Sequence, residues 1–327
     1  MKTLIENFPI QLREAIAIGE KAHLTSTKRK ISNVLISGLG GSGIGGTIVS
    51  ELVALEATVP ITVSKGYFIP KFVNENTLVI ISSYSGNTEE TLNAMNLAFK
   101  KKAKVVCITS GGKVAEIARK KKLDLITIPG GNPPRACLGY SFTQLLYILG
   151  FNEIISNKFK AQLKSAIELI EAEKQTIISE AKDVTEKLFG KTPMIYATTY
   201  FEGVAIRFRQ QINENAKMLC GHHVIPEMNH NELVGWASGS ERVSVVIFRD
   251  KDEFERNNAR IEINKQVIRK YTPHITEIWS KGKSQIEKAI YFIHLGDWVS
   301  VFLADKRGVD PIEVKVIDML KGELSKI

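Results

Sequence analysis

Two short stretches place hydroxyls and glycines at a spacing that suits a phosphate. Residues 37–46 read SGLGGSGIGG, and residues 82–91 read SSYSGNTEET. The first contains Gly38-Leu39-Gly40-Gly41-Ser42-Gly43, a match to G-x-G-x-x-G after the apolar run NVLIS and before a helical pattern. By its letters this is a dinucleotide fingerprint. That fingerprint also needs an Asp or Glu ending the next strand, to hold the ribose hydroxyls. The next strand-like run is ITVSKGYF, which offers Lys65 instead. The missing acid argues against a nicotinamide-dependent dehydrogenase. A tight turn pressed against a sheet would use the same glycines, and Ser42 at a helix start suits any phosphate.

In the second stretch Ser83, Ser85 and Thr88 cluster where a strand ends and a helix begins. The free N–H groups of a first helical turn are partly positive, so hydroxyls beside them form a neutral cradle for a phosphate dianion. Ser and Thr are also ordinary helix caps. Two such loops at neighbouring strand ends favour the phosphate.

The elements that must position these loops follow from periodicity. Residues 33–38, 60–65, 77–85, 104–110 and 124–130 are β-branched apolar runs, separated by helical patterns at 43–57, 88–101 and 112–122. SFTQLLYILGF adds a longer helix. Near-continuous apolar strands alternating with helices predict a parallel sheet covered on both faces. Residues 156–190 form a charged helical stretch. Beyond it the same grammar recurs more loosely, with strands at 192–200, 242–250 and 276–280 and helices near 201–217, 252–270 and 285–306. A last helix is expected from Pro311 to Leu324, with proline at its start. IYATTYFEGVAIRF weakly echoes VLISGLGGSGIGGTIV. The fold expected is α/β: two doubly wound parallel-sheet domains, 1–153 and 154–327, with a C-terminal helix.

Bulk properties narrow the function classes. The chain has 327 residues, 44% hydrophobic and 24% charged, which suits two globular domains without staples. Three cysteines without motif spacing suggest a reducing cytoplasm. No apolar run reaches membrane-span length, and the start has no signal-peptide core, so no membrane partner is expected. The formal net charge is +9. The basic runs TSTKRK, FKKKAK and ARKKKLD lack interleaved aromatics and sit at helix ends, so nucleic acid is not the expected partner. Attraction of a small anionic substrate is the better use of the charge.

SYSGNTEET after a parallel strand, with GLGGSG before it, resembles the sugar isomerase (SIS) domain. The resemblance implies that Ser42, Ser83, Ser85 and Thr88 hold a sugar phosphate, with the glycine loop at Gly41 letting the backbone approach the sugar. PPRACLGYSFTQLLYIL, NENAKM, PEMNHNELVGW and RGVDPIEVKVIDMLK follow in order. Together they resemble the bifunctional phosphoglucose/phosphomannose isomerase family, along essentially the whole chain. That family has two SIS domains and acts as a homodimer. The resemblance implies Glu214 in NENAK as catalytic base and His230 in MNHN as the ring-opening histidine, donated by the neighbouring subunit. It implies Arg135 in PPRACL as the arginine near the reacting carbons, and Lys321 as a lysine that assists ring opening. It also implies no cofactor.

The implied reaction interconverts glucose 6-phosphate and mannose 6-phosphate with fructose 6-phosphate. Ring opening moves a proton between O1 and O5, within reach of an imidazole near neutral pH. One carboxylate then carries a proton between C2 and C1 through a cis-enediol. A fixed guanidinium stabilises the enediolate. Each residue has an ordinary alternative: Glu214 and Lys321 on solvated helix surfaces, Arg135 in a salt bridge, His230 at an interface. Val314 stands where some relatives place a small hydroxylated residue, which leaves the balance between the two aldoses open. His222, His223, Glu227 and His230 raise a zinc site, but their spacing is not H-E-x-x-H and Pro226 breaks any helix. No metal is expected. The rival function is a non-catalytic SIS-type sugar-phosphate regulator, which would keep the cradle and lack the base.

Overall fold

A computed structural model describes residues 1–324 and 326. By contacts the chain divides into two compact units. One comprises Glu6–Glu171 with Lys281–Ile290. The other comprises Met1–Ile5, Ala172–Ser280 and Tyr291–Ile327.

The elements run in order as helices α1 (Lys2–Glu6) and α2 (Phe8–Lys21), then β1 (Asn33–Ser37), α3 (Gly40–Leu52), β2 (Ile61–Ser64) and β3 (Thr77–Ser82). Next come α4 (Glu89–Lys100), β4 (Lys104–Thr109), α5 (Gly112–Lys120), β5 (Asp124–Thr127), α6 (Leu138–Phe151) and α7 (Lys158–Ala172). The five strands form a parallel sheet in the order β2-β1-β3-β4-β5. All six residues of β3 are buried. That is why TLVIIS reads as a continuous apolar run: a parallel strand covered on both faces has no wet side. On one face Leu35, Val79, Ile81 and Cys107 pack with Met95 and Ala98 of α4 and with Val114 and Ala118 of α5.

The remaining elements are α8 (Lys174–Leu188), β6 (Thr192–Thr198), α9 (Glu202–Ala216), β7 (Gly221–Ile225), α10 (Glu232–Gly235), β8 (Val243–Arg249), α11 (Glu255–Ile268), β9 (Ile275–Trp279), α12 (Gln285–Arg307) and α13 (Lys315–Leu324). The second sheet is also parallel, in the order β7-β6-β8-β9. Its core gathers Tyr196, Ile225, Val245 and Ile247 against Ile261 and Ile268 of α11. Both sheets reverse direction beside their first strand, so each has a crevice between the loops that follow two adjacent strands. Ligands of open α/β sheets bind at such crevices.

Several expected elements shift. GHHVI is a strand, although two histidines between a glycine and a proline gave little apolar signal. The charged stretch 156–190 is two helices interrupted at Glu173. The helix after the glycine motif starts inside it, at Gly40. The last helix begins at Lys315 rather than at Pro311.

Candidate active site

The loops after β1 and β3 meet at the first sheet's crevice, where these strands pair. Their fit depends on missing side chains. A Cβ on Gly43 would lie 2.4 Å from the carbonyl oxygen of Gly38, and one on Gly41 would lie 2.8 Å from that of Pro134. The glycines therefore let backbone press on backbone, and Gly41 brings the turn carrying Arg135 against the start of α3. Ser42 is buried and its Oγ accepts from the Tyr84 N–H at 3.0 Å. It is the cross-tie between the loops.

Within the β3 loop, Ser83 is buried and donates to Thr88 Oγ1 at 3.3 Å. Ser85 is exposed, and its Oγ accepts from the Asn87 N–H at 3.3 Å. Thr88 stands at the N-cap of α4 without bonding its own helix, so its hydroxyl leaves the first-turn N–H groups uncapped. Glu89 and Glu90 also lie in that first turn.

Tyr84, inside SSYSGNT, was not singled out by the sequence. Its N–H holds Ser42, its carbonyl accepts from the Ser110 N–H at 3.0 Å, and its hydroxyl accepts from the Asn132 N–H at 3.2 Å. Burial, followed by its contact with Cys137, pushes the phenol up to about 12. It therefore stays neutral and knits together the loops after β1, β3 and β4 and the turn of Arg135. Arg135 is buried on that turn, a short 3-10 segment from Pro134 to Ala136. Lys65 comes close as well: its Cγ lies 3.8 Å from where a Gly43 Cβ would be. The structure thus brings Gly41, Ser42, Ser83, Ser85, Thr88 and Arg135 to one edge of one sheet.

Glu214, His230 and Lys321 belong to the other unit. Glu214 lies half-buried in the last turn of α9. The helix ends at Lys217, in the left-handed region at φ 54°. Lys217 Nζ donates to the carbonyls of Glu214 and Glu313, both at 2.6 Å. This lysine ends NENAK and fastens the Glu214 turn to the segment before α13, beside Val314. Asn215 is fully buried and donates to Ser300 Oγ at 2.9 Å. Further up α9, Arg207 Nη2 donates to both oxygens of Asp297, at 3.0 and 2.7 Å, and Gln211 donates to Oδ1 at 2.8 Å. A buried polar spine therefore fixes the register of α9 on α12.

His230 is exposed, in a 3-10 segment after β7. Its neighbours are pinned: Asn231 caps Glu232 at 2.6 Å, and Asn229 donates to Asn264 at 2.5 Å. Glu214 and His230 stand at opposite ends of β7, because α9 runs back along the sheet before β7 starts. Five extended residues separate the two ends by roughly 16 Å. Within one chain β7 therefore lies between the segments that carry these two side chains. Lys321 is exposed on α13. His222 and His223 are adjacent on β7, so they point to opposite faces. Among the described residues no three His, Cys, Asp or Glu side chains gather to hold a metal.

Comparison with known proteins agrees with this architecture. A SIS domain model matches residues 30–146, and the bacterial phospho-glucose isomerase C-terminal SIS domain matches residues 177–324. A bifunctional phosphoglucose/phosphomannose isomerase from Caldicellulosiruptor bescii is 39% identical over 99% of this chain and 98% of its own. The chain belongs to the bifunctional phosphoglucose/phosphomannose isomerase family. Another member, from Aquifex aeolicus, is 35% identical over 90% of each chain. The family's fold extends to more distant proteins. The C-terminal domain of glucosamine-fructose-6-phosphate aminotransferase from Francisella tularensis superposes with a TM-score of 0.75 at 14% identity, covering 96% of this chain and 97% of that one.

Proposed function

We propose that the protein is an aldose–ketose isomerase that interconverts glucose 6-phosphate, and mannose 6-phosphate, with fructose 6-phosphate. The reading rests on family membership along the full chain, joined to a hydroxyl-lined crevice in the first unit and, in the second, a carboxylate on a helical turn whose backbone is fixed. Ser42, Ser83, Ser85 and Thr88, with the α4 N–H groups, hold the phosphate. Binding energy at that end orients the reacting carbons. Arg135 stabilises the enediolate oxygen. Glu214 takes the proton from C2 and returns it to C1. Its position is fixed from both sides, by Lys217 on its own carbonyl and by Asn215 on Ser300.

Ring opening falls to His230, with Lys321 assisting. The length of β7 between Glu214 and His230 favours a homodimer in which one chain's His230 serves the other chain's site. Full-length similarity to named isomerases, with Glu214 in place, favours the enzyme over a sugar-phosphate regulator. The protein is proposed to act in the cytoplasm, without a metal or organic cofactor.

The test is fructose 6-phosphate formation from each aldose phosphate in the presence of EDTA, with wild type and Glu214→Gln. We expect wild-type turnover unaffected by EDTA. Glu214→Gln should lose about 10³-fold or more in kcat, with KM within about threefold, as removal of a base predicts. No wild-type turnover would end the enzyme reading. Full activity in the variant would end the base assignment.

A further inference from the structure

The first sheet has a second feature at the edge opposite the phosphate loops. The segments that lead into β1, β4 and β5 carry the three basic runs of the sequence, and the fold lays them side by side. Arg29 Nη1 donates to the carbonyl of Lys102 at 3.1 Å, joining the first run to the second. Lys121 Nζ sits 4.9 Å from the Phe99 ring, and Lys104 reaches Asp124 at 3.6 Å, joining the second to the third. Residues 28–30, 100–104 and 119–124 hold eleven of the chain's 44 Lys and Arg but one of its 35 Asp and Glu. The rest of the chain is close to neutral, so the excess charge of the protein resides in this strip. Its one acid, Asp124, is already engaged by Thr25 and Lys104.

Lysines at helix ends complement the helix dipole, which accounts for Lys100–Lys102 and Arg119–Lys122. It does not account for Arg29 and Lys30, which follow no helix: α2 ends eight residues before Arg29. Arg29 is held by two main-chain carbonyls, those of Glu75 at 3.3 Å and Lys102 at 3.1 Å. These acceptors fix the guanidinium without neutralising it.

Beside Arg29 and Lys30 opens a cavity of about 560 Å³, the size of an ordinary metabolite site. Its walls are of two kinds. Ile31, Phe151 and Ile154 are apolar, whereas Thr27, Arg29 and Lys30 are polar or cationic. Glu153 is the one carboxylate in the lining. An acid beside cations disfavours a bare inorganic anion and suits a ligand that also brings hydroxyl or amino donors. An apolar wall suits a ring, and the strip beyond suits a chain of phosphates. We infer that this cavity is a second ligand site, for a nucleoside triphosphate, with the nucleoside inside and the phosphates on Arg29, Lys30 and the adjoining lysines. The site lies at the edge of the sheet away from the loops proposed for the sugar phosphate, so both ligands bind at once.

The test is calorimetric titration of the full-length protein with ATP and with GTP, in EDTA, with and without saturating fructose 6-phosphate. At least one nucleotide should bind, at least tenfold more tightly than tripolyphosphate or the free nucleoside. Its affinity should be unchanged by the sugar phosphate and by Thr88→Val. Lys30→Glu, at an exposed position, should weaken it at least tenfold while leaving the melting temperature unchanged. Absence of binding by both nucleotides, equal affinity for tripolyphosphate, competition by fructose 6-phosphate or normal binding by Lys30→Glu would each overturn the inference. None of these outcomes depends on the isomerase activity, which is read separately.

Discussion

After β1 and β3 the chain places Gly41, Ser42, Ser83, Ser85 and Thr88. After β6 and β8, the corresponding strands of the second sheet, it places Thr199, Tyr200, Glu202, Asp250, Asp252 and Glu253. The same strand order therefore frames two crevices followed by different residue types. In the second, Asp250 is buried and accepts from Ser280 Oγ at 3.1 Å, while Arg249 meets Glu253 at 3.3 Å and Glu262 at 3.0 Å and also pairs with Glu277. The carboxylates of the loop after β8 are thus tied towards β9 and α11. The helices differ in the same way. α3 is seated by glycines, whereas α9 is seated by Arg207, Gln211 and Asn215 on α12. The two sheets share a strand order and differ in the residues that follow their strands. In the second unit Glu214, the proposed base, lies in the last turn of α9.

The contrast can be broken most severely at the spine of α9. Asp297→Ala leaves Arg207 buried without this carboxylate and should cost about 3–5 kcal/mol of stability, read by denaturant unfolding. Asp297→Asn, which keeps one acceptor oxygen for Arg207 and Gln211, should cost less.

The crevices themselves are separated by a milder pair of variants. Thr88→Val removes a hydroxyl without changing shape and should raise KM for the sugar phosphates about tenfold, the worth of one hydrogen bond to a charged group. Thr199→Val, at the corresponding edge of the second sheet, should leave KM unchanged. Equal effects of the two would erase the distinction between the crevices.

The smallest effect concerns pH. Burial pushes the Glu253 carboxyl up to about 7, because the Arg249 charge that opposes this is shared with Glu262 and Glu277. A carboxyl raised in the folded state takes up a proton that the unfolded chain does not. Its contribution is thus most favourable below about pH 4.5 and declines as pH rises towards 7. Glu253→Gln should therefore be about 1 kcal/mol more stable than wild type at pH 8, with the gain vanishing near pH 5. A gain that grew on acidification would refute the burial argument.

How far the sequence carried this comparison differs between the units. The first sheet was legible strand by strand, because the middle residues of β1, β3 and β4 are buried on both faces and are apolar. That Ser42, Ser83, Ser85 and Thr88 gather at one edge of the sheet was legible because hydroxyls and glycines cluster where strands give way to helices. In the second sheet β7 was hidden: its GHHVI is only partly buried, so its composition does not betray it. Tyr84 and Lys217 were hidden for another reason. Both act through main-chain groups and long reaches in space, and neither leaves a spacing to read. Lys65 was noticed only as a missing acid, and its place beside Gly43 needed coordinates.

The length of β7 has a genetic consequence. If Glu214 and His230 of one chain cannot meet, then a chain lacking one of them can still lend the other. Glu214→Gln and His230→Ala proteins would each be inert alone. Unfolded together and refolded as a mixture, half of the dimers would pair unlike chains, and each such pair would rebuild one intact site. About one quarter of wild-type turnover should return. Two defective alleles in one cell would complement each other, whereas a site built within single chains would leave the mixture as inert as its parts.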